Sequence, residues 1–382
     1  MPEQAAERLP LRLIAVMVST HCAFTSMRLA LTLAAVQQGA STFAVGVIVS
    51  LLMVVPVFSS VATGRWSDRA GHVPPALWGL GLIMAGGLLA SWRLELAVLA
   101  LAAVLIGSGQ ATVQVAIMNA IGQAGGSSAA RRFSALSLGF SVSGFLGPVF
   151  TGFAIDHAGH AMAFLLLCVP AAAGWLLALG STGGTASVPA PVRAAGGVRA
   201  LWLQASLRAV LVDTALLAMS WDLFTFVMPV HASGLGLSAS AIGILAGCFA
   251  SGSFAIRLVL TRLASHLGEH RVLWVALAGT AACYAVFPLA GGFRALAALS
   301  FVLGLFLGAG QPMAMSLLHR SAPDGRSGEV MGLRTVIVSV SQTTLPLLFG
   351  GLGAALGTGP VFLAVAAMVG GGMAWVRNRS RG

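Results

Sequence analysis

The sequence predicts an all-α membrane protein of twelve transmembrane helices in two pseudo-symmetric six-helix bundles. Three observations carry that expectation: charge is scarce, twelve apolar runs have membrane length, and a charged motif returns 197 positions later. Of the 382 residues 58% are hydrophobic and only 8% charged, and the mean hydropathy is +0.93. A soluble chain of this length could not cover itself with so few charges, so its solvent is lipid. A helix needs roughly 20 apolar residues to cross the hydrocarbon core. Runs of that kind lie near 13–36, 43–63, 75–92, 95–120, 134–156, 160–180, 206–231, 239–260, 272–290, 295–318, 330–354 and 359–376. They lack the alternation of a barrel strand and are far longer than one, which excludes a transmembrane β-barrel.

The net charge of +11 invites a nucleic-acid reading, and the placement of the charges argues against it. All 21 basic residues are arginine, and 17 of them fall at one set of alternating connections, from Arg8 and Arg12 to Arg377, Arg379 and Arg381. Arg93 and Arg294 alone fall on the other side, and Arg28 and Arg257 lie within spans. That asymmetry is the positive-inside pattern, so both termini are expected in the cytoplasm of a bacterium, with the chain in its inner membrane. The basic residues then meet anionic membrane lipid rather than a polymer. Cys22, Cys168, Cys248 and Cys283 are far apart inside apolar runs, a spacing that suits buried thiols and neither a disulfide framework nor a metal site. The first run contains His21 and Arg28 and is too long for a cleaved signal peptide. No cofactor is expected.

The best internal boundary is Ser181 to Ser206, rich in Gly, Ala, Pro and Ser, which reads as a solvated linker. It divides the chain into an N-terminal bundle (1–180), a cytoplasmic linker (181–205) and a C-terminal bundle (206–382). The halves repeat. Gly64-Arg65-Trp66-Ser67-Asp68-Arg69-Ala70-Gly71-His72 reads as a polar turn joining two spans, and Arg65 and Gly71 fall on Arg262 and Gly268. Gly107-Ser108-Gly109-Gln110 aligns with Gly308-Ala309-Gly310-Gln311, Gly147-Pro148 with Leu345-Pro346, and Gly152 with Gly350. Each half has an even number of spans, so the two copies run parallel.

These motifs resemble the major facilitator superfamily over essentially the whole chain. Its loop between helices 2 and 3 carries a pattern close to G-x-L-a-D-R-x-G-R-R. This chain supplies Gly64, Asp68, Arg69 and Gly71, with Trp66 for the usual leucine and His72 for the usual base. Gly144, Gly147, Pro148 and Gly152 look like the helix 5 signature of the family's bacterial drug–proton antiporters. Thr151 replaces one of two adjacent glycines there. The arginine those antiporters often carry in helix 4 is absent, since Ala102, Ala103 and Val104 occupy the region. The resemblance implies a monomeric transporter rather than an enzyme, exporting small amphipathic or drug-like molecules against proton entry through alternating access. It also implies a cytoplasmic gate. Asp68 with Arg65 and Arg69 would face the start of helix 11 near Gly328 and Glu329, where a helix N-terminus attracts an anion, and Arg131 or Arg132 would complete the network.

Charges within spans cost several kcal/mol unless paired or hydrated, so they point to function. Arg28 lies some 15 positions into helix 1 and Asp222 some 16 into helix 7, both about 23 Å from the cytoplasmic side at 1.5 Å per residue. The resemblance implies that helices 1 and 7 face each other. Arg28 and Asp222 are then an outer gate, with Asp222 also a proton acceptor; the alternative is that each faces its own polar neighbours. Asp213 and Arg257 lie near the cytoplasmic ends of helices 7 and 8 and are expected to form a static ion pair. His21 is either a proton relay or a hydrogen-bonded packing residue. His231 is expected at the outer interface. Helices 1, 4, 7 and 10 would supply the substrate contacts, among them Phe24, Gln110, Gln114, Asn119, Trp221, Phe224, Gln311 and Met315.

No phosphate-binding loop of the Walker type is present, which leaves ATP-driven transport without its machinery. The expected function is secondary transport with a small-molecule substrate. A metabolite or organic-anion carrier is the alternative, motivated by Arg28. A non-transporting sensor or a membrane enzyme is remote, because the eight histidines are scattered and the acids lie mostly at surfaces.

Overall fold

Long apolar runs leave the backbone no partner but itself in lipid, and the chain answers with helices throughout. The computed structural model describes residues 2–123, 129–181, 204–321 and 327–379. Among the described residues there is no strand. The helices are α1 (Pro2–Gln37), α2 (Thr42–Ala70), α3 (Val73–Trp92) and α4 (Leu96–Gln123), followed by Ala129–Leu179. That last stretch is broken at Gly159 (φ 77°, ψ 167°) into α5 (129–158) and α6 (160–179). Then come α7 (Ala205–Gly234), α8 (Ala239–Leu267), α9 (Glu269–Val286) with a 3₁₀ turn at Phe287–Leu289, α10 (Phe293–Ser321), α11 (Ser327–Leu356) and α12 (Thr358–Arg379). Ten stretches among the described residues are long and apolar enough to cross a membrane. One of the ten, 135–179, covers both arms of the Gly159 break, and α2 adds the shorter apolar stretch Thr42–Val55. Twelve spans are the result.

The two arms at Gly159 run antiparallel. A Cβ placed on Gly139 would touch Val18, and one on Gly174 would touch Ser19, so residues on either side of the break meet the same level of α1. Only glycine adopts a positive φ without cost. Among the described residues six have a positive φ, all of them glycines, and they fall into three repeat-related pairs: Gly39 with Gly236, Gly71 with Gly268, and Gly159 with Gly357. Each pair is 197 or 198 positions apart. The same turn geometry has been kept in both copies.

The chain divides into two compact units. The first contains α1–α6 together with Ser238–Gly247, the opening turns of α8. That short segment belongs with α5 because the backbones touch: a Cβ on Gly152 would lie 2.2 Å from Ala239 O, and one on Gly243 would lie 2.4 Å from Pro148 O. The second unit contains α7, the remainder of α8 and α9–α12.

Two expectations change. Residues 64–70 are not a turn but the last two turns of α2, and only Gly71 and His72 join α2 to α3. The physical reason is ordinary: a helix can carry arginines and an aspartate where it leaves the hydrocarbon, so charge marks the membrane boundary and not the helix end. The second change is one of register. A Cβ on Gly107 would lie 1.9 Å from Leu52 O, and one on Gly304 would lie 2.1 Å from Phe249 O. Leu52 and Phe249 are 197 apart, as are Gly107 and Gly304. The structural mate of Gly107 is therefore Gly304 and not Gly308, and Gln311 answers Gln114 rather than Gln110. Glycines four apart share one helix face, so the sequence match slipped by a single turn.

Candidate functional site

In the first unit α1 carries a series of polar residues, of which His21, Thr25 and Ser26 meet α5. Thr20, Thr25 and Thr32 return their hydroxyls to the carbonyls of Val16, His21 and Arg28, one turn earlier. His21 Nδ1 lies 2.7 Å from Ser143 Oγ, and its ring packs 4.6 Å from Phe140. His21 thus has a polar partner and an aromatic neighbour on the same helix. Arg28 sits seven residues further along α1, half-buried. Phe24 is buried at 8% exposure.

The α5 motif is a contact surface. At Gly147 an added Cβ would lie 2.8 Å from both Thr25 Oγ1 and Ser26 Oγ, while Pro148 and Gly152 meet the opening turns of α8. Thr151, the departure from the family pattern, is fully buried and donates to Gly147 O (2.8 Å) and to Ser26 O (3.3 Å). A hydroxyl tether between α5 and α1 replaces a glycine. Gly144 is half-buried on the same helix.

On α4, Gln110 is buried at 7% exposure and its Oε1 has no hydrogen-bond partner; Gln114 is exposed and Asn119 half-buried. At the end of α2, Arg65, Asp68 and Arg69 are exposed, Gly64 meets Val115 of α4, and Gly71 ends the helix at φ 77°. His72 is buried at 7% exposure with Nε2 unpartnered, and burial holds its pKa below the ordinary 6.5. The side chains of Arg131, Arg132, Gly328 and Glu329 lie outside the described residues.

Asp156, at the end of α5, is a site residue that the sequence did not announce. Its Oδ1 accepts from Ala239 N (3.1 Å) and its Oδ2 from Ser240 N (2.8 Å), so one carboxylate caps two free amides of α8. Ser238 adds its hydroxyl to Ala241 N, as Ser41 does to Ala44 N in the first copy. The repeat mate of Asp156 is Ala354, so the carboxylate cap exists in one copy only. An acid at the end of a span was the sole available signal, and nothing in the sequence named its partner.

In the second unit α7 is the sheltered helix: 78% of its most apolar window is buried, against 28% for α12. Asp222 lies in its middle at 7% exposure, and its carbonyl accepts from Thr225 Oγ1 (2.9 Å). One turn of α7 is also held by Tyr284, fully buried, whose hydroxyl donates to Ser220 O at 2.5 Å. Trp221 packs edge-on against Phe249 at 4.6 Å, and Phe224 stacks on Phe249 at 4.4 Å. The aromatic column continues through Phe287 and Phe362 to His231, which bonds Thr358 Oγ1 at 2.7 Å. Phe224, at 1% exposure, belongs to this column, whereas Trp221 is half-buried. Gln311 and Met315 are half-buried on α10 beside the Pro312 interruption.

Asp213 is buried at 4% exposure and its Oδ1 has no hydrogen-bond partner. Arg257, its expected partner, is half-buried on α8. Ion pairs join Arg93 to Glu95 (3.1 Å) and Arg320 to Glu269 (3.7 Å). Arg28 belongs to the first unit and Asp222 to the second.

Two copies of six helices, apolar enough to cross a membrane and with polar groups buried among them, define a multi-pass membrane protein. The family model of the Major Facilitator Superfamily matches residues 13–215 and 210–382, and the chain belongs to that superfamily. No curated protein matches it. Among solved structures it is similar to the nucleoside transporter NupG, at 12% identity and a TM-score of 0.79 over 97% of this chain and 99% of that one. It is similar to a POT family transporter in complex with 5-aminolevulinic acid, at 14% identity and 0.77 over 97% and 95%. A bacterial homolog of the human lysosomal transporter Spinster, inward-facing and occupied, matches at 13% identity and 0.77 over 98% and 97%. At these identities the likeness is one of fold.

Proposed function

We propose that the chain is a proton-coupled secondary transporter that exports small amphipathic or drug-like molecules by alternating access. The observation that carries this reading is Asp222, a carboxyl group at 7% exposure in the middle of the most sheltered spanning helix. An acid at such a position is expensive and is retained where a proton or cation must be handled. In the proposed cycle Asp222 takes a proton from the outer side and Arg28 is its gating partner, with His21 as an accessory relay. Asp68, Arg65 and Arg69, with Arg131 and Arg132, form the cytoplasmic gate. Substrate contacts come from Trp221, Phe24, Gln114, Asn119, Gln311 and Met315. The arginine asymmetry supports an inner-membrane location with both termini cytoplasmic. The functional halves are 1–180 and 206–382, joined by the linker 181–205, and the protein works as a monomer.

The α5 packing surface supports export through its likeness to the antiporter signature. The test is flux in proteoliposomes under an imposed pH gradient, screened over cationic and neutral amphiphiles. The gradient should drive accumulation in the parent, and Asp222→Asn should abolish it while leaving substrate exchange at equal pH. An Asp222→Asn variant that pumps like the parent removes Asp222 from the mechanism, and substrate movement without proton flux removes the coupling. Arg28 favours a second reading, carriage of an organic anion. That reading requires Arg28→Ala to lose uptake of anionic candidates selectively.

A further inference from the structure

The second unit holds a groove at a place where the first unit packs backbone to backbone. Ile256, Leu263 and Leu267 of α8, Val275 of α9, and Leu305 and Phe306 of α10 enclose about 190 Å³ with a wholly apolar wall. Two repeat positions account for the difference. In the first unit Gly79 and Gly109 bring α3 and α4 together backbone to backbone: a Cβ on Gly109 would lie 2.3 Å from Gly79 O. Their mates, 197 positions on, are Ala276 and Phe306. The Phe306 ring occupies the space over Gly279, where an added Cβ would lie 2.4 Å from it, and acts as a spacer between α9 and α10. Other mates of the groove residues are bulky or polar in the first unit: Trp66 for Leu263, Trp78 for Val275, Ser108 for Leu305.

The groove opens toward lipid. Val275 is 57% exposed and Leu267 42%, and Val259, on the flank of the same α8 face, is exposed as well. Its charged end is equally specific. Arg262 and His266 lie one turn apart on α8 beside Leu263 and Leu267, while His270 and Arg271 open α9, with Arg271 one turn before Val275. All four are exposed. The acid among them, Glu269, is already engaged by the Ser316 hydroxyl (2.9 Å) and by Arg320 (3.7 Å). An apolar slot therefore ends in a cationic mouth, at the point where helices leave the hydrocarbon.

We propose that this groove binds an anionic phospholipid, one acyl chain lying between α8, α9 and α10 and the phosphate resting on Arg262 and Arg271. Filling a slot that helix packing leaves open supplies dispersion contacts any acyl chain could make, so the headgroup charge sets the selectivity. A zwitterionic lipid has the chain without the net charge, and free phosphate has the charge without the chain.

The test uses the full-length protein in mild detergent, with lipid retention read by native mass spectrometry. Phosphatidylglycerol should be retained in preference to phosphatidylcholine of the same chains. Arg262→Ala with Arg271→Ala should weaken phosphatidylglycerol binding roughly 30-fold, at about 1 kcal/mol for each basic residue. Arg262→Lys with Arg271→Lys should restore most of it. Val275→Trp, placed at the exposed lip, should block binding while the protein elutes and melts like the parent. The proposal is overturned if both lipids are retained equally, if either the alanine pair or Val275→Trp leaves retention unchanged, or if inorganic phosphate alone displaces the lipid.

Discussion

Gly107→Ala is the sharpest test of how these helices are packed. The added methyl carbon would arrive 1.9 Å from Leu52 O, where ordinary contact begins at 3.4 Å, so α2 and α4 would have to part by about 1.5 Å. The obstacle is backbone, and no change of rotamer relieves it. Overpacking of this kind costs about 1–3 kcal/mol, while alanine in a helix returns about 0.5–1 kcal/mol relative to glycine. At mid-range the clash wins, leaving a net loss of about 1 kcal/mol. For a unit of this size that is a fall in Tm of about 2–4 °C. Thermal unfolding in detergent, followed with a thiol-reactive dye, is a suitable assay because Cys283 is buried at 5% exposure. Gly304→Ala should behave alike, since it meets Phe249 O at 2.1 Å. Gly370→Ala, with nothing within 4 Å, should leave Tm unchanged or raise it slightly. A Gly107→Ala protein that melts at or above the parent would refute the close-approach reasoning.

Three further outcomes follow from particular residues. His72 is held neutral by burial, so its contribution to stability should be complete above pH 6.5 and be lost as the pH falls from there toward its lowered folded value. Denaturant titrations of the parent and of His72→Gln between pH 5 and pH 8 check this, and the variant should have the flatter profile. Tyr284→Phe removes the donor to Ser220 O and should cost about 0.5–1.5 kcal/mol, read as a lower Tm with no change in monodispersity. Thr151→Val keeps the shape but loses the tether to Ser26 O, and a loss of about 0.5–1.5 kcal/mol is expected by the same measurement.

The spans were legible because membrane thickness imposes a length and lipid imposes a composition, and both are written into linear sequence. The repeat was legible for a related reason: Gly71 and Gly268 serve a backbone conformation that other residues resist. What sequence could not fix was rotation and register. Glycines at 304 and 308 share a face, so either could have matched Gly107 until Phe249 was seen to mate with Leu52. Phe224 sits three residues from Trp221, yet its ring is sealed between Phe249 and Phe287 while Trp221 remains half-buried. Asp156 was hidden for a further reason: its partners are amides, which every residue carries.

The tight reversal at Gly159 bears on how the chain is made. With a single residue between α5 and α6, the pair is a helical hairpin with no hydrophilic loop between its arms, a form suited to entering the bilayer as one unit. The polar cargo at its tip is reduced to Asp156, His157 and His160. A tag or protease site introduced there would lengthen that cargo and separate two helices that can enter the membrane together.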